Sequence, residues 1–83
     1  MTAEMERIER YCHDRMGESA ESVLSRYMNA VDGGTAENLW ELSIQARISY
    51  ESAIFLSAIL VNAGVVGETR TASGGVKIVR VER

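Results

Sequence analysis

Three short stretches of the chain carry residue types found in catalytic or ligand-binding sites. Each lacks the spacing or the additional residues that such a site needs. Cys12 and His13 are a potential nucleophile, base or metal ligand pair, but neighbouring helix residues diverge, and the chain has one cysteine and one histidine. Glu37 and Glu41 share a helix face, which is typical of a solvated edge. The stretch GGVK at 74–77 lacks the spacing of a phosphate-binding loop. We therefore predict no enzyme, no cofactor and no metal site.

The composition indicates one small globular domain. The 83 residues are 46% hydrophobic and include no proline, and good helix formers fill the first three-quarters of the chain. The N-terminus carries charges from its fourth residue and has no apolar leader. The longest apolar-leaning run, residues 53–66, is too short to cross a bilayer, so we expect no membrane partner. A single cysteine allows no disulfide framework, and we expect a cytoplasmic protein.

Charge is distributed unevenly along the chain. The net charge is −3, whereas dedicated nucleic-acid-binding modules are usually basic. Residues 67–83 nevertheless carry four cations against two carboxylates, a net of +2, which leaves −5 for the rest. The C-terminal segment is therefore the part of the chain best suited to contact phosphate groups.

Helical periodicity and capping residues predict three helices in the first half of the chain. Residues 2–16 form the first, with apolar side chains at helical spacing. Ser19 can cap the second, which ends at the glycine pair 33–34. Thr35 can cap the third, which we expect to end near Arg47.

A fourth helix and a hairpin follow. Ser49 can cap this helix, and Gly64 can end it. The hydrophobic period then changes, and residues 65–70 and 76–81 are predicted strands joined by a turn at 73–75. The chain is therefore predicted to be an α+β domain of helices followed by a C-terminal β-hairpin.

This order resembles the winged helix-turn-helix superfamily over residues 19–83, about three-quarters of the chain. The resemblance rests on a helix Glu21–Val31, a helix from Thr35, the turn Arg47-Ile48-Ser49, and Leu60-x-x-Ala63-Gly64-Val65-Val66 before the hairpin. In that family the glycine ends the recognition helix and the aliphatic pair starts the wing. The resemblance implies a winged-helix fold of three to four helices and a β-hairpin wing. Residues 1–18 would be an N-terminal helix, a possible dimerisation element, and residues 19–83 the winged-helix domain.

The resemblance also implies a small DNA-binding protein, a transcriptional regulator acting as a homodimer. Its DNA contacts would come from the start of the recognition helix and from the wing: Ser49, Tyr50, Ser52, Arg70, Thr71, Ser73, Lys77 and Arg80. The recognition helix itself contains no lysine or arginine, however, and Glu51 near its start would repel phosphates. DNA binding is therefore favoured because most proteins of this superfamily bind DNA, whereas the residues on the recognition helix argue against it.

The recognition helix is apolar on nearly all sides. In the family register the residues facing the core are Ile48, Ala53, Leu56, Leu60, Ala63 and Val66. A second apolar set is left over, and with two residues of the first helix it forms the expected interface: Ile54, Phe55, Ala58, Ile59, Val61, Met5 and Ile8. Burying one large apolar side chain contributes about 1.5–3 kcal/mol, so this surface should be covered.

Three partners could bury that surface: the chain's own first helix, a second copy of the chain, or a different protein. Trp40 lies beside the core stripe of the third helix, and we expect it to be partly exposed or covered by the first helix. Two functions remain, and the DNA-binding regulator is preferred because most folds of this kind bind DNA. One is the DNA-binding regulator, and the other is a winged-helix protein-interaction module, forming a homodimer, whose recognition helix does not read DNA.

Overall fold

The structure, a computed structural model, describes residues 2–82. Its elements are helix α1 (Ala3–Tyr11) continued by a π-helical segment (Cys12–Met16), helices α2 (Ala20–Gly33), α3 (Leu39–Ala46) and α4 (Tyr50–Asn62), and strands β1 (Val66–Arg70) and β2 (Val76–Arg80). The two strands pair antiparallel, from Val66 opposite Arg80 to Arg70 opposite Val76. The predicted fold class is confirmed: helices precede a C-terminal hairpin in the arrangement of a winged helix.

The ends of α2 and α4 follow the local signals in the sequence. The hydroxyls of Ser19 and Ser49 accept hydrogen bonds from the backbone N–H groups three residues further on, at 3.2 and 3.0 Å. Each bond satisfies an N–H that has no partner inside the helix. Gly34 and Gly64 follow the two helices with φ of 73° and 76°, a backbone conformation that glycine adopts without strain.

The predicted start of α3 is wrong by several residues. Asn38, not Thr35, is the N-cap, and its side-chain oxygen accepts a hydrogen bond from the Glu41 N–H at 2.8 Å. Thr35 instead donates to the side-chain oxygen of Gln45 at 3.2 Å. Asparagine is the better capping residue, and the later start allows Ala36 to be buried in the preceding loop.

A buried hydroxyl pair fixes how α4 is rotated against the core. Tyr27 of α2 is fully buried, and its hydroxyl lies 2.8 Å from the Ser57 hydroxyl in the middle of α4. Burial raises the pKa of Tyr27, and the hydrogen bond with Ser57 opposes that rise. Because a buried hydroxyl without a partner is unfavourable, this contact favours one rotation of α4 about its axis.

Helices α3 and α4 meet at 105° across residues 47–49, an angle typical of a helix-turn-helix. Arg47 in this turn has a φ of 58°, which is unfavourable for a side chain other than glycine. Arg26 supports the turn, since its Nε donates to the Ala46 carbonyl oxygen at 3.0 Å. The Arg26 guanidinium also makes two hydrogen bonds to Glu18, at 2.6 and 3.0 Å, and they lower the pKa of that carboxyl.

Candidate functional site

The solvent-facing side of α4 is the side on which a winged helix would read DNA. Its exposed residues are Tyr50, Glu51, Ile54, Ala58 and Asn62. Tyr50 is a predicted DNA contact, and Ile54 and Ala58 are predicted interface residues. The only charge among the five is that of Glu51, so this side of the helix offers phosphate groups no cation.

Two residues expected on that side are buried instead. Ser52 and Ile59 are 3% and 4% exposed. The Ser52 hydroxyl accepts a hydrogen bond from the Ser49 hydroxyl at 2.9 Å and lies 3.1 Å from the hydroxyl of Tyr11. The Ser52 hydroxyl is therefore buried and already contacts two other hydroxyls, and Ile59 belongs to the core of its own chain. Ala63, expected in the core, is exposed where α4 ends.

The flank of α4 that faces α1 is covered by the chain itself, and we call it the closed flank. Phe55 is half-buried and stacks on Tyr11, with ring centroids 4.0 Å apart and planes 12° from parallel. Ile8, predicted for an interface between copies, is 1% exposed within the chain's own core, and Met5 packs half-buried against that core. The first helix thus covers part of the second apolar set in cis, and Ile8 is not available to a partner.

The opposite flank of α4, toward α3, is open to solvent. We call the following residues the apolar face: Leu39, Trp40, Ile44, Tyr50, Ile54, Ala58 and Val61. The exposed fractions of Trp40 and Ile44 are 58% and 59%, and those of Tyr50 and Ile54 are 44% and 45%. The Trp40 and Tyr50 rings meet edge to face at 5.8 Å. Of the two alternatives for Trp40, exposure is therefore correct, since Tyr11 of the first helix packs on the other flank.

A groove lies within the apolar face, where α3, α4 and β1 meet. It has a volume of about 230 Å³ and is lined by Leu39, Ile54, Ser57, Ala58, Val61 and Glu68. Glu68 of β1 is its only charged residue, so the hairpin forms one edge of the groove. The apolar face thus combines a protruding indole with a recess.

Two of the predicted DNA-contacting cations of the wing bind the body of the domain. The Lys77 Nζ donates to the Gly34 carbonyl oxygen at 2.7 Å and lies 3.8 Å from a carboxylate oxygen of Glu37. Arg80 makes two hydrogen bonds to the Asp32 carboxylate, both at 2.9 Å. These bonds lower the pKa of Asp32. Phosphate contact by either cation would require these interactions to break.

The remaining wing residues lie at the tip of the hairpin. Arg70 is exposed and forms no ion pair within residues 2–82. Thr71 holds the turn, because its hydroxyl accepts a hydrogen bond from the Gly75 N–H at 3.1 Å and lies 3.1 Å from the Ser73 hydroxyl. The wing therefore presents one unpaired cation and a polar tip.

Sequence reasoning missed the role of Tyr11. Its ring covers Phe55 and its hydroxyl reaches Ser52, so it joins the N-terminal helix to α4 by two contacts. A signal was present, since Tyr11 lies four residues after Arg7 and four before Arg15, a spacing that brings side chains together on a helix.

The part of the chain that the structure describes contains no group of three or more histidine, cysteine or acidic residues that could hold a metal. No single helix in residues 2–82 is long and apolar enough to cross a membrane. Helices α3 and α4 together reach that length and apolar composition, but they are bent by 105°. No family model, no curated protein and no solved structure matches this chain. Function is therefore inferred from the two flanks of α4 and from the charged surfaces.

Proposed function

We propose that the protein is a winged-helix protein-interaction module that forms a homodimer through the apolar face. One observation supports this above all: the side of α4 that would enter a DNA groove carries no cation, and large apolar side chains continue it onto α3. Trp40 and Ile54 are about half exposed there. Apolar side chains of this size gain free energy when a partner removes them from water.

The size of the apolar face fits the centre of a protein interface. Its four large exposed side chains leave roughly 400 Å² of apolar surface, which is within the range that often marks interaction sites. That area is large for a chain whose whole accessible surface is 5183 Å². A stable interface buries about 800 Å² on each partner, so the apolar face would be the centre and its polar neighbours the rim.

A second copy of the chain is the occupant that the shape of the face favours. A twofold dimer pairs one patch with itself, so a patch that holds both a knob and a recess is self-complementary. The exposed Trp40 indole is the knob, and the groove of about 230 Å³ elsewhere on the same face is the recess. None of the seven residues of the apolar face is charged, so like-charge repulsion between two copies is limited to Glu68 at the edge of the groove. Tryptophan and tyrosine are also the residues most enriched among those that carry binding energy.

The test is the molar mass in solution by light scattering, for the wild type and for Ile54→Glu. We expect about twice 9.2 kDa for the wild type at micromolar concentration and 9.2 kDa for the variant. A carboxylate at residue 54 would be buried in the dimer without a partner, which is unfavourable. Asn29→Glu is the matched control, since it adds the same charge at an exposed position of α2 and should leave the dimer intact. A wild-type mass of 9.2 kDa would contradict the proposal.

A second candidate is the DNA-binding regulator. The 105° crossing of α3 and α4 and the exposed Arg70 at the wing tip favour it. In that case Arg70→Ala, Lys77→Ala and Arg80→Ala together should abolish binding to duplex DNA. The salt dependence should also become shallower, by about one unit for each phosphate group that the protein no longer binds. Unchanged binding by this triple variant would remove the wing from any DNA contact.

For either function we place the protein in the cytoplasm, which suits the free thiol of Cys12.

A further inference from the structure

A shallow depression lies outside the apolar face, between α1 and the closed flank of α4. Its volume is about 260 Å³, and it is lined by Arg7, Arg10, Tyr11, Asp14, Arg15 and Phe55. Three arginines therefore share one small surface with one carboxylate and an aromatic pair. We call these six residues the arginine surface. Neither the dimer nor the wing uses it.

The aromatic pair holds two of the arginines in place. The guanidinium carbon of Arg7 lies 6.0 Å from the centre of the Phe55 ring, and that of Arg15 lies 6.0 Å from the centre of the Tyr11 ring. A guanidinium near an aromatic ring gains a favourable cation–π contact while its N–H donors stay available. The two cations are thus partly ordered before any ligand binds.

These arginines are not neutralised inside the chain. Arg7 and Arg10 make no ion pair with any residue between 2 and 82. Arg15 reaches Glu51 only at 3.6 Å, and both side chains are mostly exposed. An exposed ion pair of this kind contributes little, so Arg15 can exchange Glu51 for a stronger anion. The wing differs, because Lys77 and Arg80 are held by the body of the domain.

The acidic residues of the first helix do not cancel this surface. Glu9 and His13 line a separate depression against the start of α2, on another side of the helix. Asp14 lies within the arginine surface and Glu51 lies 3.6 Å from Arg15, so two carboxylates face the three arginines. The net negative charge of the chain therefore coexists with a local excess of cations.

The spacing of the three arginines suits a chain of phosphates. At 1.5 Å of rise per residue in α1, the Cα atoms of Arg7 and Arg10 are roughly 4.5 Å apart along the helix, and Arg15 lies further along, in the π-helical segment. One strand of a duplex places a phosphate every ~3.4 Å along its axis, so the arginines span several successive phosphates. A guanidinium also binds a phosphate with two parallel hydrogen bonds, which a lysine does not do. We propose that the arginine surface binds the phosphate backbone of nucleic acid without reading its sequence.

Fluorescence anisotropy with a labelled duplex of mixed sequence tests this proposal on the full chain. The decisive variant is the triple change Arg7→Gln, Arg10→Gln and Arg15→Gln. We expect it to weaken binding by about tenfold or more at low salt and to reduce the salt slope by about two to three units. The matched control is Arg70→Gln, Lys77→Gln and Arg80→Gln, which removes the same three charges and should change affinity less than about threefold.

Three results would overturn the proposal. They are no duplex binding by the wild type at low salt, equal weakening by the two triple variants, and displacement of the duplex by poly-glutamate at an equal concentration of charge. The last result would assign the surface to an acidic polypeptide. Circular dichroism checks that each variant is folded. Replacing the three arginines by lysine keeps the charge, and intermediate binding would support the two-bond contact to phosphate.

Discussion

The two flanks of α4 both carry apolar residues, but one flank is covered by the chain and the other is exposed to solvent. On the closed flank, Phe55 lies under the Tyr11 ring of the chain's own first helix. On the open flank, Ile54 and Trp40 remain about half exposed. Neighbouring apolar residues, 54 and 55, therefore face different environments. The first helix covers one flank and leaves the other exposed to solvent.

The closed flank stabilises the fold of a single chain, whereas the open flank is available for binding. The closed flank contributes to the folding of each chain whatever its concentration. The open flank contributes only when another molecule is bound, so its free energy depends on concentration. Measurements of stability at several protein concentrations can therefore distinguish the two flanks residue by residue.

The largest effect is expected on the closed flank. Phe55→Ala removes the ring that stacks on Tyr11, and we expect it to lower the free energy of unfolding by about 2–3 kcal/mol. Urea unfolding should show the same loss at low and high protein concentration. A loss that grows with concentration would mean that Phe55 belongs to an interface between copies.

The open flank should show the opposite pattern. Ile54→Ala removes an exposed side chain, so it should hardly change stability in dilute solution. We expect the dissociation constant of the dimer to rise by about tenfold, as for a residue near the centre of an interface. Sedimentation velocity over a dilution series measures it. An equal loss of stability at all concentrations would show that Ile54 packs within its own chain.

A smaller effect is expected from the hydrogen bond that joins the closed flank to α1. Tyr11→Phe keeps the ring stack and removes the hydroxyl that lies 3.1 Å from the Ser52 hydroxyl. We expect a loss of about 1 kcal/mol in the free energy of unfolding, because Ser52 keeps its bond from Ser49. Urea unfolding of this variant beside Phe55→Ala separates the hydroxyl from the ring. A loss as large as that of Phe55→Ala would mean that the hydroxyl, not the stack, holds the helix.

The smallest effect concerns the ion pair between Arg80 of the wing and Asp32. Hydrogen bonds from Arg80 lower the pKa of Asp32, so the folded chain favours the ionised carboxylate. This stabilisation is complete above the unfolded pKa of about 4 and is lost as the pH falls through the lowered folded pKa. Asp32→Asn should therefore be less stable than the wild type at neutral pH, and the difference should disappear in acid. A difference that persists below both pKa values would have another cause.

Much of the fold could be predicted because its signals are local. Ser49 and Gly64 mark the two ends of α4 through bonds and φ angles within a few residues of each end. The rotation of α4 could not be predicted in the same way. A helix that is apolar on nearly all sides has no periodicity that tells which side is buried. The choice depends on Tyr27, which meets Ser57 from 30 residues away.

The candidate site shows the same limit. Tyr50 and Ile54 are exposed as the winged-helix resemblance implies, whereas Ser52 and Ile59, which the same resemblance puts on that side, are buried. The pairing of Arg80 with Asp32 joins residues 48 positions apart, and no local pattern indicates it. The arginine surface also needs the packing of α1 on Phe55 before its three cations can be seen as one group.

The emission of Trp40 during dilution is the most direct test of dimer formation through the apolar face. Trp40 is the only tryptophan in the chain, and its indole is 58% exposed in the single chain. We expect a blue-shifted spectrum at high micromolar concentration and a red shift on dilution, as the indole meets water. The Ile54→Glu variant should give the red-shifted spectrum at every concentration. A red-shifted spectrum for the wild type across the whole range, the same as that of Ile54→Glu, would contradict a dimer that covers this face.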